Sequence, residues 1–152
     1  MILRILNEKE GYPAPRSQLE RVLANTWKRR GRGRVTLNLL LVDDRRMRRM
    51  ARWAGHRRAS TDVLAFPDGE PDPTTGVVHL GDIAANVDVA RQEAKQRGLR
   101  IRDEVTLYAL HGLLHLLGMQ DHTEAGRQAM AQAQEEVFRK HGLSIDDTSE
   151  SG

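Results

Sequence analysis

Residues 111–122 read His111-Gly112-Leu113-Leu114-His115-Leu116-Leu117-Gly118-Met119-Gln120-Asp121-His122, and the reading of this dozen decides how the chain is organised. His111 and His115 stand four positions apart. On a helix advancing about 100° per residue, that spacing stacks them one turn apart on one face. Gly118 offers a helix stop, because glycine enters the left-handed region without steric cost. The chain then folds back and brings His122 toward the first two imidazoles. Three neutral imidazoles from a helix and its following turn suit Zn²⁺, which in catalytic sites takes three protein ligands and keeps a fourth position open. An amphipathic core helix with two satisfied histidines would explain the leucines. It would not explain three of the chain's six histidines within twelve residues.

Outward from the motif, Val105, Leu107, Leu110, Leu113, Leu114 and Leu117 wrap most of a helix from about Arg102 to Leu117, which predicts a buried central helix. Thr123-Glu124 starts a last helix to about Lys140. Residues 146–152 are a polar tail, read as disordered. Upstream, residues 1–7 alternate as a strand. Ser17 can cap a helix carrying Leu19, Val22, Leu23 and Trp27 that ends near Gly31. Arg34–Val42 reads as a strand, and Asp43 or Asp44 caps a helix to about Ala54 with Met47, Met50 and Ala51 inward. Thr61–Pro67 is a strand ending at its proline, 68–76 a loop, and Val77–Ile83 a strand pairing antiparallel with its predecessor. Asn86 or Asp88 begins a helix to Gly98. The expectation is one α+β domain over 1–145, with a roughly four-stranded mixed sheet, about five helices, and the zinc site on the central helix and the turn after it.

The chain has 152 residues, of which 39% are hydrophobic and 30% charged, and no cysteine. Disulfide scaffolds and cysteine–zinc sites are excluded, a reducing cytoplasm is the expected location, and any metal must rest on His, Asp or Glu. Even the longest apolar runs are short, such as Leu39–Val42, so no membrane span is expected. Net charge is +3, yet residues 21–58 hold 13 Arg and Lys against Asp43 and Asp44 alone. Lys28, Arg29 and Arg30, then Arg45, Arg46, Arg48 and Arg49, are the candidate RNA-binding residues, since guanidinium groups pair with phosphate oxygens bidentately. A solvated basic face is the bland alternative.

A zinc ion with an open position makes hydroxide available near neutral pH, which favours hydrolysis. In the His-Glu-x-x-His metalloproteases the residue after the first histidine is the general base. Here it is Gly112, which does no acid–base work. A phosphodiester needs charge neutralisation and in-line positioning, which an arginine-rich half can supply.

The motif resembles that of the YbeY family of single-strand-specific metallo-endoribonucleases, His-Gly-x-Leu-His-Leu-x-Gly-Tyr-Asp-His. It is matched at His111, Gly112, Leu114, His115, Leu116, Gly118, Asp121 and His122. Thr61-Asp62-Val63-Leu64-Ala65-Phe66-Pro67 and Leu80-Gly81-Asp82-Ile83 echo two further family segments. The resemblance implies one zinc per chain on His111, His115 and His122. It also implies 16S rRNA 3′-end maturation and ribosome quality control, with single-stranded rRNA and the small subunit as partners.

Two departures bear on the site. Met119-Gln120 stands where the family has one residue, so Asp121 occupies the usual offset of the third ligand; His122 is preferred because Asp-His is kept as a unit. A catalytic arginine that many members carry has no clear counterpart here, which leaves Arg52, Arg57 and Arg58 as candidates. Asp62 and Asp82 read as turn or edge residues or as groups orienting a ligand histidine. His79 is expected to face solvent or a loop, His56 to lie at the surface, and His141 to sit at a helix C-terminus. Trp27 and Trp53 read as packing residues. Competing functions are a non-catalytic rRNA-binding assembly factor with structural zinc, and a metalloprotease-like hydrolase that Gly112 disfavours.

Overall fold

A computed structural model describes residues 1–55 and 60–145. The stretch 56–59, with His56 and the candidate arginines Arg57 and Arg58, and the tail 146–152 lie outside the described residues. The elements run β1 (Ile2–Asn7), α1 (Arg16–Arg30), β2 (Val35–Val42), α2 (Asp44–Trp53), β3 (Val63–Pro71), β4 (Val78–Asn86), α3 (Val87–Arg97), α4 (Ile101–Leu116) and α5 (Glu124–Lys140). The sheet order is β1-β2-β4-β3, with β1/β2 and β2/β4 parallel and β3/β4 antiparallel. The expected mixed four-stranded sheet with five helices in one domain is what forms.

Alternation along β2 divides the molecule. Leu37, Leu39 and Leu41 join Ile83 and Ala85 in a buried core beneath α1, α3 and α4. Val42 and Ala84 turn to the other face and pack with Leu64, Met47 and Ala51 of α2. α5 adds a further layer on α4 through Leu110, Leu114, Met130 and Phe138. α4 is therefore apolar around its circumference because it is covered on both sides.

Local chemistry sets most boundaries. The Asp43 carboxylate accepts from the Arg46 amide, Asn86 from Val89 and Thr123 from Gly126, each capping a helix. Ser17 does not cap α1. The chain enters that helix at Pro15 with no side-chain cap, two residues earlier than its polar residue suggests. β3 does not stop at Pro67 but runs on to Pro71 across a register shift. It is an edge strand, where a missing N–H removes no ladder bond on the outer side. No helix among the described residues is long and apolar enough to cross a membrane.

Candidate metal centre

His111 and His115 leave the same face of α4, with their rings 4.5 Å apart and nearly perpendicular. The residue between them in register with the sheet is Gly112. A Cβ built there would lie 2.7 Å from Ile83 Cγ2, so glycine is what lets α4 settle onto β4. Its place in the motif is a packing requirement, and the two histidines flanking it are carried to the β3 side of the sheet.

The helix ends in a Schellman closure. Gly118 has φ +99°, its amide donates to the His115 carbonyl (2.9 Å), and the Met119 amide donates to the Leu114 carbonyl (3.0 Å). This aims the Met119 carbonyl at His115 Nδ1, 2.9 Å away. Nδ1–H donating there leaves Nε2 with its lone pair free, the tautomer a metal needs. For His111 the outer nitrogen Nδ1 lies 3.1 Å from the side-chain amide of Gln134 on α5. With the amide oxygen turned inward, Gln134 accepts Nδ1–H in the same way.

Asp121, and not His122, stands over the pair. Its Oδ2 is 3.3 Å from His111 Nε2 and 3.5 Å from His115 Nε2, while the two Nε2 atoms are 2.9 Å apart. A tetrahedral ion with donors at about 2.0–2.2 Å separates them by about 3.3–3.6 Å. The two spans to Asp121 match, the Nε2–Nε2 span is shorter, and the three donors are close enough together to share one ion. Among the described residues these three form the group of possible ligands, and His122 is exposed outside it. The residue that faces the two imidazoles is thus Asp121, one position before the expected ligand His122. The Schellman closure fixes Met119 and the Thr123 cap fixes the start of α5, so the short span between them points Asp121 inward and His122 out.

Burial, then the neighbouring His115, lowers the pKa of His111 below its ordinary value, with the nearby carboxylates of Asp121 and Asp62 opposing. Its neutral form, the ligand form, is favoured. The trio opens on a cavity of about 240 Å³ whose facing wall is Thr61, Asp62, Val63 and Ala65. The second sequence segment is thus the other side of the site, and Asp62 is an exposed carboxylate at its mouth, at the start of edge strand β3.

Other expected site residues scatter. The basic stretch is not one patch. α1 carries Lys28, Arg29 and Arg30 on the metal side of the sheet, and Arg30 Nη1 reaches Met119 Sδ at 4.0 Å, next to the ligand turn. α2 carries Arg45, Arg46, Arg48 and Arg49 on the opposite face. Arg52 is exposed in the last turn of α2 and is not among the residues lining the metal cavity. Asp82 also lies on the α2 face, where its Oδ1 accepts from Asn38 Nδ2 (2.9 Å) and meets His79 Nε2 at 3.0 Å. His79 is therefore held in the sheet surface, its Nδ1 also 2.8 Å from Thr36 Oγ1, and does not point freely to solvent. Trp27 is buried as expected, but Trp53 is 84% exposed. Gln134 was invisible to sequence reasoning, since a lone glutamine 23 residues downstream carries no local signal.

The sequence model for endoribonuclease YbeY matches residues 5–142. The chain belongs to the YbeY family. Relatives named endoribonuclease YbeY include one from Anaeromyxobacter dehalogenans, 36% identical over 94% of this chain and 73% of its own length. One from Thermus thermophilus is 39% identical over 80% of this chain and 87% of its own. One from Myxococcus xanthus is 39% identical, but the match spans only 38% of that longer protein. The solution structure of TM1509 from Thermotoga maritima superposes with a TM-score of 0.55 at 26% identity, covering 91% of each chain. Family membership places this chain among the hydrolases that cut RNA internally, and the His-His-Asp trio is a group able to hold a metal ion.

Proposed function

We propose that the chain is a zinc-dependent endoribonuclease specific for single-stranded RNA, acting in 16S rRNA 3′-end maturation and ribosome quality control in the cytoplasm. The observation that carries this reading is the convergence of His111, His115 and Asp121 on one ion-sized point, in a YbeY-family chain. His111 and His115 hold the ion through Nε2, His115 oriented by the Met119 carbonyl at Nδ1 and His111 by the Gln134 side-chain amide, and Asp121 is the third donor ahead of His122. Zinc there would supply Lewis-acid charge and lower the pKa of water to about 7. Arg30 beside the ligand turn neutralises phosphate charge as the strand enters, with Lys28 and Arg29 behind it. Asp62 at the mouth is placed to hold or accept a proton. Arg52, Arg57 and Arg58 stay candidates for the catalytic arginine.

The test is cleavage of a labelled single-stranded RNA ending in the 16S 3′ region, against the same sequence annealed into a duplex. Cleavage of the single strand alone, lost with chelator, restored by zinc and absent in His115→Ala, is the expected result. Cleavage indifferent to chelator and to His115→Ala would overturn it. Zinc binding and RNA binding without any cleavage would favour the assembly-factor reading.

A further inference from the structure

The face of the sheet under α2 holds a groove that the metal centre does not use. It is a cavity of about 570 Å³ between α2, β3 and β4, lined by Arg46, Arg49, Met50, Trp53, Phe66 and Asp82 among others. That volume lies in the range of small-ligand sites, roughly 300–1,000 Å³. Its apolar floor leads to an unusual rim. Trp53 is 84% exposed, although it meets Phe66 edge-on with ring centroids 6.4 Å apart at 62°. Arg49 has no carboxylate partner among the described residues, and Arg46 has only the exposed Glu8, at 3.3 Å. Asp82 spends one oxygen on Asn38 and His79, and its Oδ2 makes no hydrogen bond among the described residues.

Resting on the reading of the chain as an RNA enzyme, we propose that this groove binds one nucleotide of the single-stranded RNA away from the cut. The base stacks on Trp53 and Phe66, its phosphate pairs with Arg49 and Arg46, and its exocyclic amino group donates to Asp82 Oδ2. Unpaired bases are commonly held in this manner, by an aromatic face and by hydrogen bonds to their edges. An aromatic pair with two guanidinium groups matches a nucleotide's charge and flat surface better than it matches a peptide. The connection to the metal centre runs round β3. Val63 packs into the core on the α4 side, whereas Leu64 and Phe66 face the α2 side, so the edge strand separates the two sites by its own thickness. An RNA strand bending over that edge occupies both. The carboxylate also gives a preference, because cytosine, adenine and guanine carry an exocyclic amine and uracil does not.

The experiment titrates short oligocytidylate and oligouridylate into the full zinc-loaded chain, with tryptophan fluorescence read by stopped flow before turnover. Trp27 is buried, so quenching by base stacking reports on Trp53. Oligocytidylate is expected to bind more tightly than oligouridylate. Trp53→Ala removes that reporter, so its affinity is read by anisotropy of the same oligonucleotides carrying a 5′ fluorescein; it should be weaker by roughly 5- to 150-fold, the worth of one stacked base. Arg49→Glu should weaken it and lower the slope of log K against log salt by about 0.7 for the lost phosphate. Asp82→Asn should reverse the preference toward uracil, whose O4 can accept from the new amide N–H. The His115→Ala variant should still show quenching, so failure of the nuclease reading and failure of this site are separate results. Unchanged affinity in both Trp53→Ala and Arg49→Glu overturns the proposal, as does equal binding of the two homopolymers. Capture of a protein segment on this face, with RNA binding untouched by these variants, also overturns it.

Discussion

One face of the sheet is sealed and the other is left half open, and the two differ in what their packing is for. Beneath α1, α3 and α4 the strands present Leu37, Leu39, Leu41 and Ile83, all fully buried. Only such a wall can hold α4 so firmly that two imidazole nitrogens and a carboxylate oxygen meet within ion-binding distance. Beneath α2 the strands begin with Val42 and Ala84 but pass on to the polar Asn38, His79 and Asp82 and to a half-covered Phe66. The single short helix there does not extend far enough to cover them. A metal centre demands positions fixed to fractions of an ångström, whereas a charged, partly apolar surface needs only to present its groups.

The sharpest way to break that contrast is to remove a ligand from the sealed face. His115→Ala should take bound zinc from about one equivalent to near none by elemental analysis, while leaving the open face's groups untouched. Retention of full zinc would show that α4 does not carry the centre.

Next in size is the third donor. Asp121→Ala should lower zinc affinity by more than the roughly 10–100-fold typical of residues that only orient ligands, with Gln134→Ala falling inside that range. His122→Ala should change it little. The reverse ranking of Asp121 and His122, read by competition with a chromogenic chelator, would mean that the ligand turn rearranges when metal arrives.

The faces should also differ in tolerance. Gly112→Ala places a methyl 2.7 Å from Ile83 Cγ2 and should cost about 1–3 kcal/mol, the usual range for overpacking. Trp53→Ala on the open face should stay within about 0.5 kcal/mol, as exposed substitutions do. Denaturant melts of the two variants side by side decide it.

The smallest effect concerns Glu104, which is 1% exposed on the sealed side and ion-paired to Arg97 at 3.2 Å. Burial raises its carboxyl pKa, with Arg97 opposing and Glu93 and Asp62 adding to the rise. A carboxyl whose folded pKa exceeds its unfolded value stabilises the fold below the unfolded pKa and loses that contribution as pH rises through the folded one. Glu104→Gln cannot ionise, so its melting temperature relative to the parent chain should climb as pH rises above about 4.5. A difference that shrinks with rising pH would mean that Arg97 more than compensates the burial.

The sequence carried the architecture because its signals are local. Alternation in Val35–Val42, the polar caps Asp43, Asn86 and Thr123, and the all-round apolar helix before Gly118 each act within a few residues of themselves. The pairing of His111 with His115 is equally local, since one helical turn joins them. Ser17 and Pro67 misled because a good cap residue and a strand-breaking residue are only preferences. Docking of α1 and the free outer edge of β3 overrode them.

Other features exist only once distant segments meet. One residue more in the ligand turn put Asp121 at the usual offset, and the intact Asp-His unit favoured His122 along the chain. Between the Schellman closure and the Thr123 cap, it is Asp121 that turns toward the two imidazoles. Gln134 reached His111 from another helix, and Thr61–Ala65 became a wall of the metal cavity because β3 pairs with β4 beneath α4. The arginine-rich stretch looked like one surface because charge is counted along the chain. β2, threaded through the core between α1 and α2, sent its two halves to opposite faces of the sheet. Sequence by itself determined which residues could bind a metal or a polyanion; tertiary structure decided which of them share a site, because the strand between two groups, and not the number of residues, sets the face on which each emerges.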